Sequence, residues 1–239
     1  MTPRISLIIP AHNEAAFLGA CLEAAEIAAK QIVDTVETIV VLNRCTDATE
    51  EIALNHGCKI VREDAKNLSQ IRNAGVATAT GEIIVTCDAD SRMHPGSLRQ
   101  ILHHLETGKI VGGGAVVLPE RWSLGIIASG LSILPYIAFT GVSFGLFWFH
   151  KRDFEEIGGF DVQFVSVEDV DFARRLKAHG RKSNRSWGTL IRTPLVTSCR
   201  KFDQFGDWYL LRNPSFVRKV FRGRDRKVAD HFWYDVRSE

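Results

Sequence analysis

The chain has 239 residues, 45% hydrophobic and 24% charged, which is enough apolar material for a sizeable core in one domain or in one domain with an appendage. The formal net charge is only +2, so no global basic field argues for nucleic acid as a partner. Five cysteines (Cys21, Cys45, Cys58, Cys87 and Cys199) are odd in number and show no C-x-x-C spacing. They read as reduced thiols of a cytosolic protein, not as disulfide staples or zinc ligands.

The opening MTPRISLIIP has an apolar run too short for a signal peptide, ended by Pro10, and reads as a strand over 5–9. Apolar residues at helical spacing follow over 13–29. A β-branched run at 37–42, a helix at 46–55, a short strand at 58–61 and a helix at 67–78 come next. Then come a strand at 83–86 and a helix at 95–105 with Pro95 near its first turn. Strand and helix alternating at this spacing predict an α/β, Rossmann-like, mostly parallel sheet flanked by helices. In such a sheet the loops after the strands gather on one side, at the carboxyl ends, where ligands bind. Those loops are AHNE (11–14), NRCTD (43–47) and CDAD (87–90), and all carry polar groups.

The fourth strand poses a sharper question. Ile83-Ile84-Val85 leads directly to Asp88 and Asp90 with Ala89 between them, and unpaired charge is costly beside a core. One reading is a solvated turn with Asp90-Ser91 capping a helix. The other is a pair of carboxylates delivered to a hard divalent cation.

Six motifs occur in order: IIPAHNE, VVLNRCTDAT, IRNAG (71–75), CDAD, GGFD (158–161) and VEDVDFARRL (167–176). Together they resemble family 2 glycosyltransferases of the GT-A fold over about residues 4–180. The resemblance implies a GT-A domain over 1–200, with a nucleotide half at about 1–117 and an acceptor half at about 118–200. A C-terminal helical extension would cover 201–239. It also implies a nucleotide-diphospho-sugar donor and Mg²⁺ or Mn²⁺ held by Asp90 with Asp88. Ala89 would let the diphosphate approach the backbone, and Pro10, His12, Glu14, Asn43 and Arg72 would line the donor pocket. For Glu14, an acid in the first helical turn is the competing reading. Where relatives carry an acidic run like D-D-G-S-T-D, this chain has Asn43-Arg44-Cys45-Thr46-Asp47, which leaves the nucleobase open; Asp47 reads as a helix-start residue.

On the acceptor side, the resemblance makes Asp169 the base that deprotonates the acceptor and Glu168 its orienting partner, with Asp171 structural. A base there favours single displacement with inversion. The Q-x-x-R-W of processive members is absent, and the nearest segment is SNRSWG (183–188). Transfer of a single sugar is therefore expected. A sugar-phosphate nucleotidyltransferase is the alternative enzyme, but AHNEAAF lacks its Gly-rich phosphate loop. An inert nucleotide-sugar-binding module is the non-enzyme alternative, against which Asp90 and Asp169 speak.

Residues 122–150 contain no Asp, Glu, Lys or Arg. Pro135, Gly141 and Gly145 divide this run, so a helix over about 122–138 followed by a strand is expected instead of a membrane span. Residues 213–227 combine Phe216, Val217, Val220 and Phe221 with Arg218, Lys219 and Arg222. That pattern suits either a packed terminal helix or a basic interfacial helix. The second reading implies peripheral contact with the inner face of a membrane by a cytoplasmic enzyme, and a lipid-linked acceptor.

Overall fold

The computed structural model describes residues 2–140 and 144–217. In chain order the elements are β1 (Ile5–Ala11), α1 (Leu18–Ala29), β2 (Val36–Leu42), α2 (Thr49–Asn55), β3 (Lys59–Arg62), α3 (Leu68–Thr78) and β4 (Ile83–Thr86). They continue with β5 (Ser91–Arg92), α4 (Ser97–Glu106), β6 (Ile110–Pro119), α5 (Leu124–Thr140) and β7 (Phe144–His150). The remainder is α6 (Lys151–Glu156), α7 (Glu168–Lys182), β8 (Ser186–Thr197), α8 (Arg200–Phe205) and α9 (Tyr209–Arg212).

Eight strands form one mixed sheet in the order β3-β2-β1-β4-β7-β6-β8-β5. β3, β2, β1 and β4 are mutually parallel; β7 runs antiparallel to both β4 and β6, β8 is parallel to β6, and β5 is antiparallel to β8. β1 and β4 lie inside the sheet and are buried on both faces, which is why their sequences are mostly apolar instead of alternating. Ile5, Leu7, Ile9, Ile83 and Val85 pack on one face with Leu18, Leu22, Leu98 and Ile101 of the helices. Ile8, Ile39, Val41 and Ile84 pack on the other with Ile71, Val76 and a phenylalanine group that includes Phe149, Phe160 and Phe172.

Several boundaries differ from the sequence expectation, for local reasons. The first helix starts at Leu18 and not at residue 13, because Asn13 is left-handed (φ +50°) and the Glu14 amide donates to Thr49 Oγ1 at 2.8 Å. The second helix starts at Thr49, where Asp47 Oδ1 accepts from both the amide and the hydroxyl of Thr49, as a helix-start residue does. Asp90-Ser91 caps no helix; Ser91 enters β5 and pairs with Thr197. The apolar run at 122–150 becomes α5 and β7, and no helix among the described residues is long and apolar enough to cross a membrane. The basic segment at 213–227 lies mostly outside the described residues.

Helix α3 sits close against the sheet because residue 75 is glycine: a Cβ there would collide with Ile8 and Val41. From that position α3 holds the loop that carries the GGFD motif. Asn73 donates to the Phe160 carbonyl at 2.9 Å and accepts from its amide at 3.0 Å, and Ser69 donates to the Asp161 carbonyl at 2.9 Å. Gly158 and Gly159 take positive φ (+78° and +70°), which a side chain would oppose. The IRNAG and GGFD motifs are thus two halves of one clamp. Asn73→Ala should remove both clamp bonds and cost about 1–3 kcal/mol, read as a lowered urea midpoint; an unchanged midpoint would show that the loop holds itself.

Candidate active site

β1 has β2 on one side and β4 on the other, so the chain winds away in opposite directions from the β1/β4 pair. At the carboxyl end of such a switch point a crevice opens. Here it is an open cavity of ≈ 460 Å³. All ten residues singled out from the sequence line it. Pro10, His12 and Glu14 come from the end of β1, Asn43 from that of β2 and Arg72 from α3. Asp88, Ala89 and Asp90 follow β4, and Glu168 and Asp169 open α7.

Arg72 lies between the two acidic groups. It is 3% exposed, donates through Nη1 to Glu168 Oε1 at 2.6 Å and through Nη2 to Asp88 Oδ1 at 3.0 Å, and rests 5.5 Å from the Phe160 ring centroid. Burial alone would lower its pKa, but the charges of Asp88, Glu168 and Asp169 more than reverse this and hold it cationic. Its Nε is buried with no hydrogen-bond partner among the described residues. The arginine thus ties the end of β4 to the start of α7, residues 96 positions apart in Glu168 and Arg72.

Asp169 differs from its neighbours. Burial pushes its carboxyl up to about 7, the adjacent Glu168 charge adds to the rise, and Arg72 opposes it. The Val170 amide donates to its Oδ1 at 2.7 Å. Val167, just before the pair, is a β-branched residue in the left-handed region (φ +54°), a conformation that costs free energy and recurs at functional sites. Asp171 is structural: it takes Arg175 Nε at 2.6 Å, one turn along the helix.

Asp90 is held from the far end of the chain. Ser198 donates its amide to the Asp90 carbonyl at 3.0 Å and its hydroxyl to Oδ2 at 2.9 Å. Arg200 donates to the same Oδ2 at 2.9 Å and grips Glu14 with both Nη atoms, at 2.8 and 3.1 Å. Glu14 is 2% exposed, so its charge requires such a partner. Neither Ser198 nor Arg200 was expected in the site. Their signal was the one used for CDAD: β8 is parallel to β6, hence to β4, so the loop after Thr197 emerges on the same edge. Lys201 and Phe202 of α8, at the start of the segment expected as a helical extension, also line the cavity.

The oxygen donors suit a hard cation. Asp90 Oδ1 has only a long 3.5 Å contact from Ser91, and Asp88 is half exposed with one oxygen on Arg72. Two carboxylates leave most of a six-oxygen shell to phosphate and water, the usual Mg²⁺ arrangement. A tighter group of ligand-type side chains, Asp153, Glu156 and His179, lies outside the cavity. There Asp153 already binds both Nη atoms of Arg185 at 2.7 and 2.8 Å, which makes it an ion-pair cluster.

At the β1–β2 end of the cavity, His12 Nδ1 donates to the Asn43 carbonyl at 2.5 Å. The Asn43 amide group donates to the carbonyls of Glu63 (2.5 Å) and Ala65 (2.9 Å), and its Oδ1 accepts from Arg44. Asn43 thus shapes the pocket wall, with its polar atoms already engaged.

Solved structures of GT-A glycosyltransferases share this architecture. Pyrobaculum calidifontis mannosyltransferase PcManGT, in complex with GDP-Man and Mn²⁺, superposes with a TM-score of 0.64 at 17% identity, covering 96% of this chain and 69% of that one. Mycobacterium tuberculosis glucosyl-3-phosphoglycerate synthase, with Mn²⁺, UDP and glucosyl-3-phosphoglycerate, gives 0.60 at 17% identity, covering 92% and 80%. The profile of glycosyl transferase family 2 matches residues 6–155, and the chain belongs to that family. Among curated relatives, the uncharacterized glycosyltransferase Rv0539 of M. tuberculosis is 32% identical over 104 residues, 44% of each protein. Bacillus subtilis EpsH, named as a glycosyltransferase, is 29% identical over 106 residues, 42% of this chain and 30% of EpsH. The match spans less than half the length of these relatives.

The raised Asp169 pKa has a consequence for stability. Between the ordinary carboxyl value of 3.8 and about 7 the folded state holds a proton that the unfolded state has lost. Stability therefore falls as pH rises through this window, and the loss is complete above it. Asp169→Asn should remove this slope, so that the variant is the more stable protein at pH 8 and the difference shrinks toward pH 4. Denaturant midpoints at the two pH values measure it; parallel profiles would mean that Asp169 titrates normally.

Proposed function

We propose that the protein transfers one sugar from a nucleotide-diphospho-sugar to an acceptor hydroxyl by single displacement, with the donor diphosphate at Asp88–Asp90 and Asp169 as the base. The observation that carries this reading is the placement of two differently tuned acid groups in one cavity, joined by a buried arginine. Asp88 and Asp90 accept hydrogen bonds from Arg72 and Arg200, while Asp169 is tuned toward neutral pH. A base works best with its pKa near the operating pH.

Asp169 takes the acceptor proton while the acceptor oxygen bonds to the anomeric carbon and the bond from that carbon to the β-phosphate oxygen breaks. The electron pair leaves with the nucleoside diphosphate. Glu168, fixed on Arg72, keeps Asp169 from ionising early and orients the acceptor side. Ala89, 2% exposed between the two aspartates, leaves the strand end low enough for phosphate to approach. Pro10, His12 and the Asn43 wall form the nucleoside end. Asp90 through Oδ1, with Asp88, would hold Mg²⁺ or Mn²⁺, which when bound stabilises the charge developing on the leaving group. The metal-bound complexes of the structural neighbours support this assignment.

Asp169→Asn should lower kcat on the order of 10²-fold or more with donor affinity nearly unchanged. Asp90→Ala should abolish transfer without unfolding the protein. Collapse of donor binding with kcat spared in Asp169→Asn, or full turnover in chelator, would overturn the respective roles.

The acceptor, in this reading, is lipid-linked and met at a membrane surface. Supporting it, α5 exposes one apolar face: Leu124, Ile127, Leu131 and Leu134, at i, i+3 and i+4 spacings, with Trp122 just before. Vesicles containing anionic lipid should co-sediment the protein, and Leu124→Glu with Leu131→Glu should weaken that binding at least about tenfold, since each removes a buried leucine's transfer free energy. No binding at low salt by the native chain would point to a soluble acceptor.

A further inference from the structure

Arg200 is a charged group beside the site that neither the sugar transfer nor the proton transfer has used. Its guanidinium links two carboxylates from different strand ends, Glu14 after β1 and Asp90 after β4, and rests 5.0 Å from the Phe17 ring centroid. The two linkages are unequal. Glu14 is 2% exposed and takes both Nη atoms, so this pair is anchored. Asp90 receives a single Nη2 contact and is 18% exposed, at the cavity wall. Arg200 does not itself line the cavity; it stands behind the metal-ligand candidate and touches it on the oxygen turned away from Oδ1.

We infer that Arg200 is a positioning residue that makes cation binding at Asp90 conditional on diphosphate. This rests on the metal role proposed above. Two effects follow from the geometry. Arg200 and Ser198 together occupy Oδ2, so Asp90 is offered as a one-oxygen ligand through Oδ1. Arg200 also places a fixed positive charge one carboxylate away from the incoming cation. Arg200 cancels one of the negative charges of Glu14, Asp88 and Asp90 that would otherwise draw a free cation, so a divalent cation alone is held weakly. A nucleoside diphosphate restores the balance with its own charge. The cation and the donor therefore enter as one unit, and the site does not collect free metal.

Mn²⁺ binding without turnover tests this. Free Mn²⁺ is titrated by electron paramagnetic resonance against the full chain, alone and then with UDP and with GDP in separate runs. The native protein should bind Mn²⁺ weakly alone and at least about tenfold more tightly with one of the diphosphates. Arg200→Gln should bind Mn²⁺ alone about tenfold or more tightly than the native chain, whereas Arg200→Lys, which keeps the charge, should stay near native. Because Arg200→Gln strands the buried Glu14, the double variant Glu14→Gln/Arg200→Gln is measured beside it. That variant keeps the native net charge of the cluster, so its gain should be smaller than that of Arg200→Gln and come from the freeing of Asp90 Oδ2. If both variants bind free Mn²⁺ no more tightly than native while diphosphate still tightens it, Arg200 has no such role and the metal assignment stands. If no form binds Mn²⁺ with either diphosphate, the metal assignment falls and this inference with it.

Discussion

A buried guanidinium organises this protein. Arg72 is shut into the sheet–helix interface and can be there only because Asp88 and Glu168 meet it, and each of those carboxylates is placed by Arg72 in return. The pairing joins two halves of the site, the loop after β4 and the start of α7. Removing one member of a buried ion pair leaves the other uncompensated, at a cost of about 3–5 kcal/mol. Geometry at the site and cohesion between the halves are thus one interaction, and α3 carries both, since Asn73 and Ser69 on the same helix hold the loop that leads to Glu168.

The same arrangement separates the acids by task. Asp88 and Asp90 each meet an arginine. Asp169 stands one residue beyond Glu168 and shares Arg72 only through its field, so burial dominates and its carboxyl rises. Three acids at the start of α7 would suit the helix dipole as plain surface residues. What distinguishes the site is that they are spent differently: Glu168 on Arg72, Asp171 on Arg175, and Asp169 on no cation directly. That costs stability at neutral pH, the trade expected where function requires a poised group.

Much of this was legible in the sequence, and the part that was not has a common cause. Continuous apolar runs gave β1, β2 and β4, because central parallel strands have no solvent face. The loop rule for carboxyl ends then collected the segments 11–14, 43–47 and 87–90, and the family resemblance pointed to Pro10, His12, Glu14, Asn43, Asp88 and Asp90 in and beside them. What stayed hidden were pairings between distant segments. The clamp of Asn73 on Phe160 spans 87 residues, and the Arg200 bond to Glu14 spans 186. Neither has a local signature. Helix starts were misplaced for the same reason: residues 13–17 have helical periodicity, but Asn13, Glu14 and Ala15 are held by Thr46, Thr49 and Asp47 of the neighbouring loop. Long-range bonds there outweigh propensity.

In the proposed reading the site has a donor floor of Asp88, Ala89 and Asp90, an acceptor wall of Glu168 and Asp169, and two arginines beside them. Its central claim is that the strand-end aspartates receive a metal–diphosphate unit. Crystals soaked with Mn²⁺ and either UDP or GDP would test this most directly, through an anomalous difference map at the manganese edge. The account predicts a peak within coordination distance of Asp90 Oδ1, bridged to phosphate oxygens. A manganese peak at Asp153, Glu156 and His179 with diphosphate elsewhere, or a diphosphate bound in the cavity with no metal at Asp90, would contradict it.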